Sequence, residues 1–110
     1  MKRLLFYRRP DGKIPIQIWL ESFRDQSIPQ RFDARFERLI QGNYGDCTPV
    51  GEGLKELRFH FGSGYRIYFT EDGDEVVLLL CGGDKGSQPK DIALAKEYLR
   101  EYLESKRRTS

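Results

Sequence analysis

Leu54-Lys55-Glu56-Leu57-Arg58-Phe59-His60-Phe61-Gly62-Ser63-Gly64-Tyr65-Arg66-Ile67-Tyr68-Phe69 alternates ionisable with apolar side chains on both sides of a Gly-Ser-Gly turn. Alternation with period two marks strands that bury one face, so the stretch reads as two short strands joined by a turn. The same period puts Arg58 and His60 on one face of the first strand, and Arg66 with Tyr68 on one face of the second. Tyr65 then points inward. A sheet that displays cations beside a titratable imidazole is suited to handling a phosphodiester.

Upstream, Leu4 to Tyr7 is a short apolar run between Lys2-Arg3 and Arg8-Arg9, and Pro10-Asp11-Gly12 stops it. It reads as a buried first strand followed by a turn. Ile14, Ile18, Trp19 and Phe23 fall at helical spacing, and Pro15 is tolerated in a first turn, where its missing donor has no partner to lose. A second helix is expected between about Pro29 and Gly42, with Phe32, Phe36, Leu39 and Ile40 as its apolar stripe and Gly42 as its stop. Asn43 to Gly53, rich in Gly and Pro without periodicity, is expected to be a connecting loop.

Downstream, Glu71-Asp72-Gly73-Asp74 supplies turn chemistry. Glu75 to Cys81 is apolar almost throughout, as a central strand covered on both faces would be. Gly82 to Lys90 reads as a polar loop, and Asp91 to Leu103 as a helix carrying Ile92, Leu94, Ala95, Tyr98, Leu99 and Tyr102. Lys106, Arg107 and Arg108 form a basic tail, for which fraying in solvent is the default. The order is strand, two helices, three strands, helix. It implies one α+β domain over residues 1–110, with helices on one side of a mostly antiparallel sheet.

Nineteen Lys and Arg against seventeen Asp and Glu give a net charge of +2, too little to establish a nucleic-acid partner by itself. Distribution is more informative: the acids spread through the helices, whereas Arg58, His60, Arg66, Lys85 and Lys90 recur around strand ends. Cys47 and Cys81 have no CxxC or Cys/His spacing, so no metal site is read and a reduced, intracellular setting is expected. No apolar run approaches the roughly 18 residues of a membrane span, and a soluble cytoplasmic protein is expected.

A face gathering Arg58, His60, Arg66 and Lys85 can hold the scissile phosphate of RNA and stabilise charge that grows on its non-bridging oxygens as the adjacent 2′-hydroxyl attacks. That chemistry calls for no cofactor. His60 is the one histidine, and an ordinary pKa of about 6.5 suits general acid or base work. It requires, however, that these groups converge on one face free of carboxylate partners. The bland reading has His60 as the polar side of an exposed hairpin, and Arg58 and Arg66 as a solvated or salt-bridged face paired to Glu56 or Glu75. Lys85 follows Gly82-Gly83, yet neither glycine-rich nucleotide pattern is present. Trp19, Phe23, Phe32 and Phe36 fit the helical stripes and read as core.

Glu56-Leu57-Arg58, Gly64-Tyr65-Arg66-Ile67-Tyr68-Phe69 and Gly82-Gly83-Asp84-Lys85 resemble the RelE/ParE superfamily of toxin–antitoxin toxins, and more narrowly its HigB-type, phage-related "addiction module killer protein" branch. The resemblance runs along nearly the whole chain. It implies a RelE-like, microbial-RNase-like fold: a mostly antiparallel four-stranded sheet with two N-terminal helices packed on it and a C-terminal helix. It further implies a ribosome-dependent endoribonuclease that cleaves messenger RNA in the ribosomal A site and inhibits translation. A cognate antitoxin, often a helix-turn-helix protein, would neutralise it.

By the same resemblance, Arg66 matches the arginine of the family's Gly-Tyr-Arg strand and would clamp the phosphate. Arg58 and His60 occupy the strand where relatives carry basic or histidine catalytic groups, and Lys85 matches a basic position after the last strand. Lys55, Tyr68 and Lys90 are the expected RNA contacts. Where some relatives place a tyrosine or histidine near the start of the final helix, this chain has Asp91, Ile92 and Ala93. The superfamily also contains DNA gyrase inhibitors that are not nucleases, so a gyrase inhibitor, or a domain left with antitoxin binding alone, is the alternative. His60 beside Arg58 tilts the reading toward RNA cleavage.

Overall fold

A computed structural model describes residues 1–109. The chain runs β1 (Arg3–Phe6), α1 (Pro15–Glu21), α2 (Ser27–Gln30), α3 (Asp33–Ile40), β2 (Cys47–Gly51), β3 (Leu54–Arg58), β4 (Tyr65–Asp72), β5 (Val76–Asp84), a 3₁₀ turn (Lys85–Ser87) and α4 (Gln88–Thr109). The strands form one mixed sheet in the order β1-β5-β4-β3-β2. β1 lies parallel to β5, and every other pairing is antiparallel.

Five strands stand where four were expected, because β2 lies inside the stretch read as a loop. Its pattern is hidden by Pro49, which cannot donate to a ladder and is tolerated on an edge strand, and by a register shift between Pro49 and Gly51. Helices also cover both faces of the sheet, not one. Ile16, Phe32, Phe36 and Leu39 of the N-terminal helical region pack with Leu57, Phe59, Ile67, Phe69, Val77 and Leu79 on one side. On the other, Ala95, Tyr98 and Leu99 of α4 pack with Leu54, Tyr68, Leu78, Leu80 and Cys81. The apolar run of β5 reflects this double burial, as its sequence indicated.

The second expected helix is broken in two. The amides of Arg31 and Phe32 bond to the carbonyls of Ile28 and Pro29, a tight turn between α2 and α3. It turns the Phe32 ring into the core, stacked on Trp19 at 5.5 Å and 4°. Gly42 ends α3 as expected: at φ +83 it lets its own amide reach the Leu39 carbonyl and the Asn43 amide the Arg38 carbonyl.

β5 outlasts the expected strand by three residues, and α4 begins at Gln88 rather than Asp91. Asp84 is the cap that the reading of a polar loop overlooked. Its side chain accepts from the amides of Gly86 and Ser87, while the Ser87 hydroxyl returns to the Asp84 amide. At its far end α4 carries the basic tail: Lys106 pairs with Asp72, and Arg107 and Arg108 with Glu104. No helix among the described residues is long and apolar enough to cross a membrane.

Candidate active site

Arg58 and Arg66 are direct cross-strand partners on β3 and β4, and the row continues to Gly83 of β5. Directly opposed residues share a face, here the side covered by α4. The next row inward is Thr48, Glu56, Tyr68 and Cys81. Leu80 has no partner in the β4–β5 ladder, and this bulge resets the alternation so that Gly82 faces α1 and Gly83 faces α4. A Cβ on Gly82 would meet the Trp19 ring at 2.4 Å, and one on Gly83 would meet Asp91 Oδ2 at 1.8 Å. These glycines let helices approach β5 from both sides, which accounts for the Gly-Gly pair without a phosphate loop.

Asp46, just before β2, joins two of the expected catalytic residues. Its Oδ1 lies 3.1 Å from Arg58 Nη2, and its Oδ2 contacts His60 Nε2. The hydrogen bond with His60 is the main influence holding the Asp46 carboxyl below its ordinary pKa, and the Arg58 charge adds to it. His60 itself stands open, its side chain 72% exposed.

Arg66 is much less accessible, at 12%, and its Nε lies 3.9 Å from Glu56 Oε1. Glu56 is buried and accepts from the Tyr68 hydroxyl at 3.1 Å and from Gln88 Nε2 at 2.6 Å. Burial, reinforced by this carboxylate, pushes the Tyr68 phenol well above its usual range. A buried carboxylate needs such partners to offset its desolvation. The Nε atoms of Arg58 and Arg66 are both buried without a hydrogen-bond partner.

Beneath this face, Arg35 of α3 ties the segments together. Its Nη1 donates to the Arg58 carbonyl at 2.7 Å, and its Nη2 to the carbonyls of Tyr44 and Asp46 at 3.2 and 3.1 Å. Burial lowers the pKa of this guanidinium.

Of the expected catalytic residues, Arg58, His60 and Arg66 therefore share one surface, but each is met by a carboxylate, so the required face free of carboxylate partners is not what forms. Lys85 lies apart at its rim, exposed in the 3₁₀ turn, its Cβ 3.3 Å from where a side chain on Gly64 would begin. Lys90 is exposed on the first turn of α4. Two of the expected RNA contacts need correction. Lys55 projects to the opposite face, where it pairs with Glu71 and lies 5.5 Å from the Tyr44 ring centre. Tyr68 does share the Arg66 face, but its ring is wholly buried under α4 and has no surface open to a base.

Asp46, Gln88 and Arg35 were missed in the sequence, because no local pattern ties a loop acid, a helix-start amide and a helix arginine to one strand end. Glu56 was read only as an ion-pair partner, which it is for Arg66; Arg58 pairs instead with Asp46.

No solved structure matches the chain. A Haemophilus influenzae protein titled only "Uncharacterized protein" is 44% identical over 78 residues, spanning 71% of this chain and 79% of its own. Residues 19–101, which hold the whole Arg58–Arg66 surface, match the family model described as "Phage derived protein Gp49-like (DUF891)", and the chain belongs to that Gp49-like family.

Proposed function

We propose that this chain is the toxin of a toxin–antitoxin pair and acts as a metal-independent endoribonuclease on messenger RNA at the ribosome. The Gp49-like family is associated with toxin–antitoxin systems, which supports the class. The observation that carries the reaction is the cross-strand pair Arg58–Arg66 with His60 on the same surface, joined to Arg58 through Asp46.

In this reading the scissile phosphate takes the place of a carboxylate at the guanidinium groups, which then stabilise the charge of in-line attack by the 2′-hydroxyl. Asp46 holds His60 by Nε2 and leaves Nδ1 for the substrate. His60 removes the 2′-hydroxyl proton. The 2′-oxygen bonds to phosphorus, the bond to the 5′-oxygen breaks, and that oxygen takes a proton from a neighbouring acid. The products are a cyclic phosphate and a 5′-hydroxyl. Lys85 and Lys90 extend the cationic rim along which the RNA backbone would lie.

Carboxylates beside all three groups favour a second reading: a toxin that binds its target, DNA gyrase among the options, without cutting RNA. Primer extension on translated message after induction separates the two. Cleavage that is lost in Arg66→Ala and His60→Ala, by on the order of 10²-fold or more per group, supports the nuclease. Intact message with DNA-damage signalling, or full cleavage by a folded Arg66→Ala variant, overturns it.

A further inference from the structure

We propose that the outer edge of β1 docks an extended segment of a partner protein, apolar at its centre and acidic at both ends, which pairs with β1 as an added strand. β1 is an outermost strand of the sheet. The Arg3 and Tyr7 amides bond to the Glu75 and Leu79 carbonyls of the β5 side. Strand alternation then turns the main-chain donors and acceptors of Leu4 and Phe6 outward. α3 closes the main chain of this edge at its start, where the Lys2 amide reaches the Ile40 carbonyl, and further along it touches a side chain only, the Phe36 ring lying edge-on to Phe6 at 6.5 Å.

An apolar edge strand left open is an aggregation hazard, and folded proteins ordinarily shield one. Here Leu5 and Phe6 are 36% and 38% exposed. Beside them a groove of about 660 Å³ runs between β1 and the second half of α4, with Leu5, Tyr7, Leu78 and Tyr102 among its walls. A strand laid along β1 would place alternate side chains in that groove.

Charge specifies the occupant. Arg3 stands at one end of β1 and Arg8 just past the other, both exposed, and neither has an ion pair among the described residues. The groove's carboxylates are already engaged: Glu101 by Arg9 and Tyr7, and Glu104 by Arg107 and Arg108. A docked segment therefore meets cations about five residues apart, on the order of 16 Å along a strand, and apolar surface between them.

The test uses the full chain and the synthetic peptide Glu-Glu-Val-Ile-Val-Glu-Glu, with NMR amide exchange and calorimetry. The peptide should slow exchange at Leu4 and Phe6 by about 10-fold or more. Methylating its central amide nitrogen, or introducing Arg8→Glu, should weaken binding by about 10-fold or more. The proposal is overturned by absence of binding, by equal binding of a lysine-flanked peptide, or by protection elsewhere on the chain. It is also overturned if sedimentation shows a dimer that protects the same amides without peptide, since a second copy would then be the occupant. No RNA enters these measurements, so their outcome is independent of the nuclease reading.

Discussion

Arg35 and Arg58 are joined through the sheet: the α3 guanidinium donates at 2.7 Å to the carbonyl of the strand residue whose own side chain faces the opposite surface. Because Arg35 also holds the Tyr44 and Asp46 carbonyls, it fixes the strand end and the loop that carries its counter-ion. Arg35→Met keeps the packing over Phe59 and removes the donors. The Asp46 carbonyl keeps the Arg58 amide at 3.0 Å, so the Arg58 and Tyr44 carbonyls are the ones left unmet, and in a part-buried setting this should cost about 2 kcal/mol, read as a lower urea midpoint at unchanged slope. A loss within error would show that water replaces the guanidinium at no cost.

Glu56 has a different task, holding a largely buried cation and two polar neighbours. Glu56→Ala leaves Arg66 without its carboxylate, and the Tyr68 hydroxyl and Gln88 amide without their acceptor. Breaking a buried pair in this way costs on the order of 3–5 kcal/mol. Tyr68→Phe deletes only one hydrogen bond and should cost about 1 kcal/mol. Equilibrium denaturation of the two variants should preserve that order; the reverse order would mean that Glu56 is not the centre of the cluster.

The hairpin from Leu54 to Phe69 was legible because alternation is a local signal, as were the doubly covered β5 and the core packing of Trp19, Phe23, Phe32 and Phe36, although Phe23 and Phe32 lie outside the helices. β2 was not, since proline and glycine mask a five-residue edge strand that exists only because β3 is there to pair with it. The bulge at Leu80 was equally silent, and it decides which glycine meets which helix. At the site, strand period placed Arg58, His60 and Arg66 on one surface. Their carboxylates come from a loop and an adjacent row, and only the folded sheet brings them together. Lys55 shows the same logic from the other side: one position off the Arg58 alternation, it faces away.

Cysteine chemistry should divide sharply between the two thiols. Burial raises the Cys81 thiol to about 12, with the Asp91 charge adding to the effect, so almost no thiolate forms near neutral pH. Cys47 is only half-buried, and both are free. Iodoacetamide at about pH 8 should modify Cys47 and leave Cys81 untouched until the chain unfolds, as peptide mass spectrometry would show. Modification of both at similar rates in the native state would mean that α4 opens readily from β5.

Acid sensitivity follows from the direction of the carboxyl shifts. Asp46 is held low chiefly by the His60 hydrogen bond, Glu71 by that of Lys55, Asp72 by that of Lys106 and Glu101 by that of Arg9. A carboxyl whose folded pKa lies below its unfolded value of about 4 stabilises the fold above that value, and this contribution disappears as pH falls through the lower, folded pKa. Urea midpoints should therefore fall steadily below about pH 5 and be nearly flat above it with respect to these groups. Asp46→Asn removes one of the four, so its midpoints should decline less steeply with acid while starting lower at neutral pH. Parallel curves for the two proteins would show that the carboxylate contact with His60 and Arg58 does not persist in solution, and would leave the Arg58 guanidinium open to a phosphate without displacing Asp46.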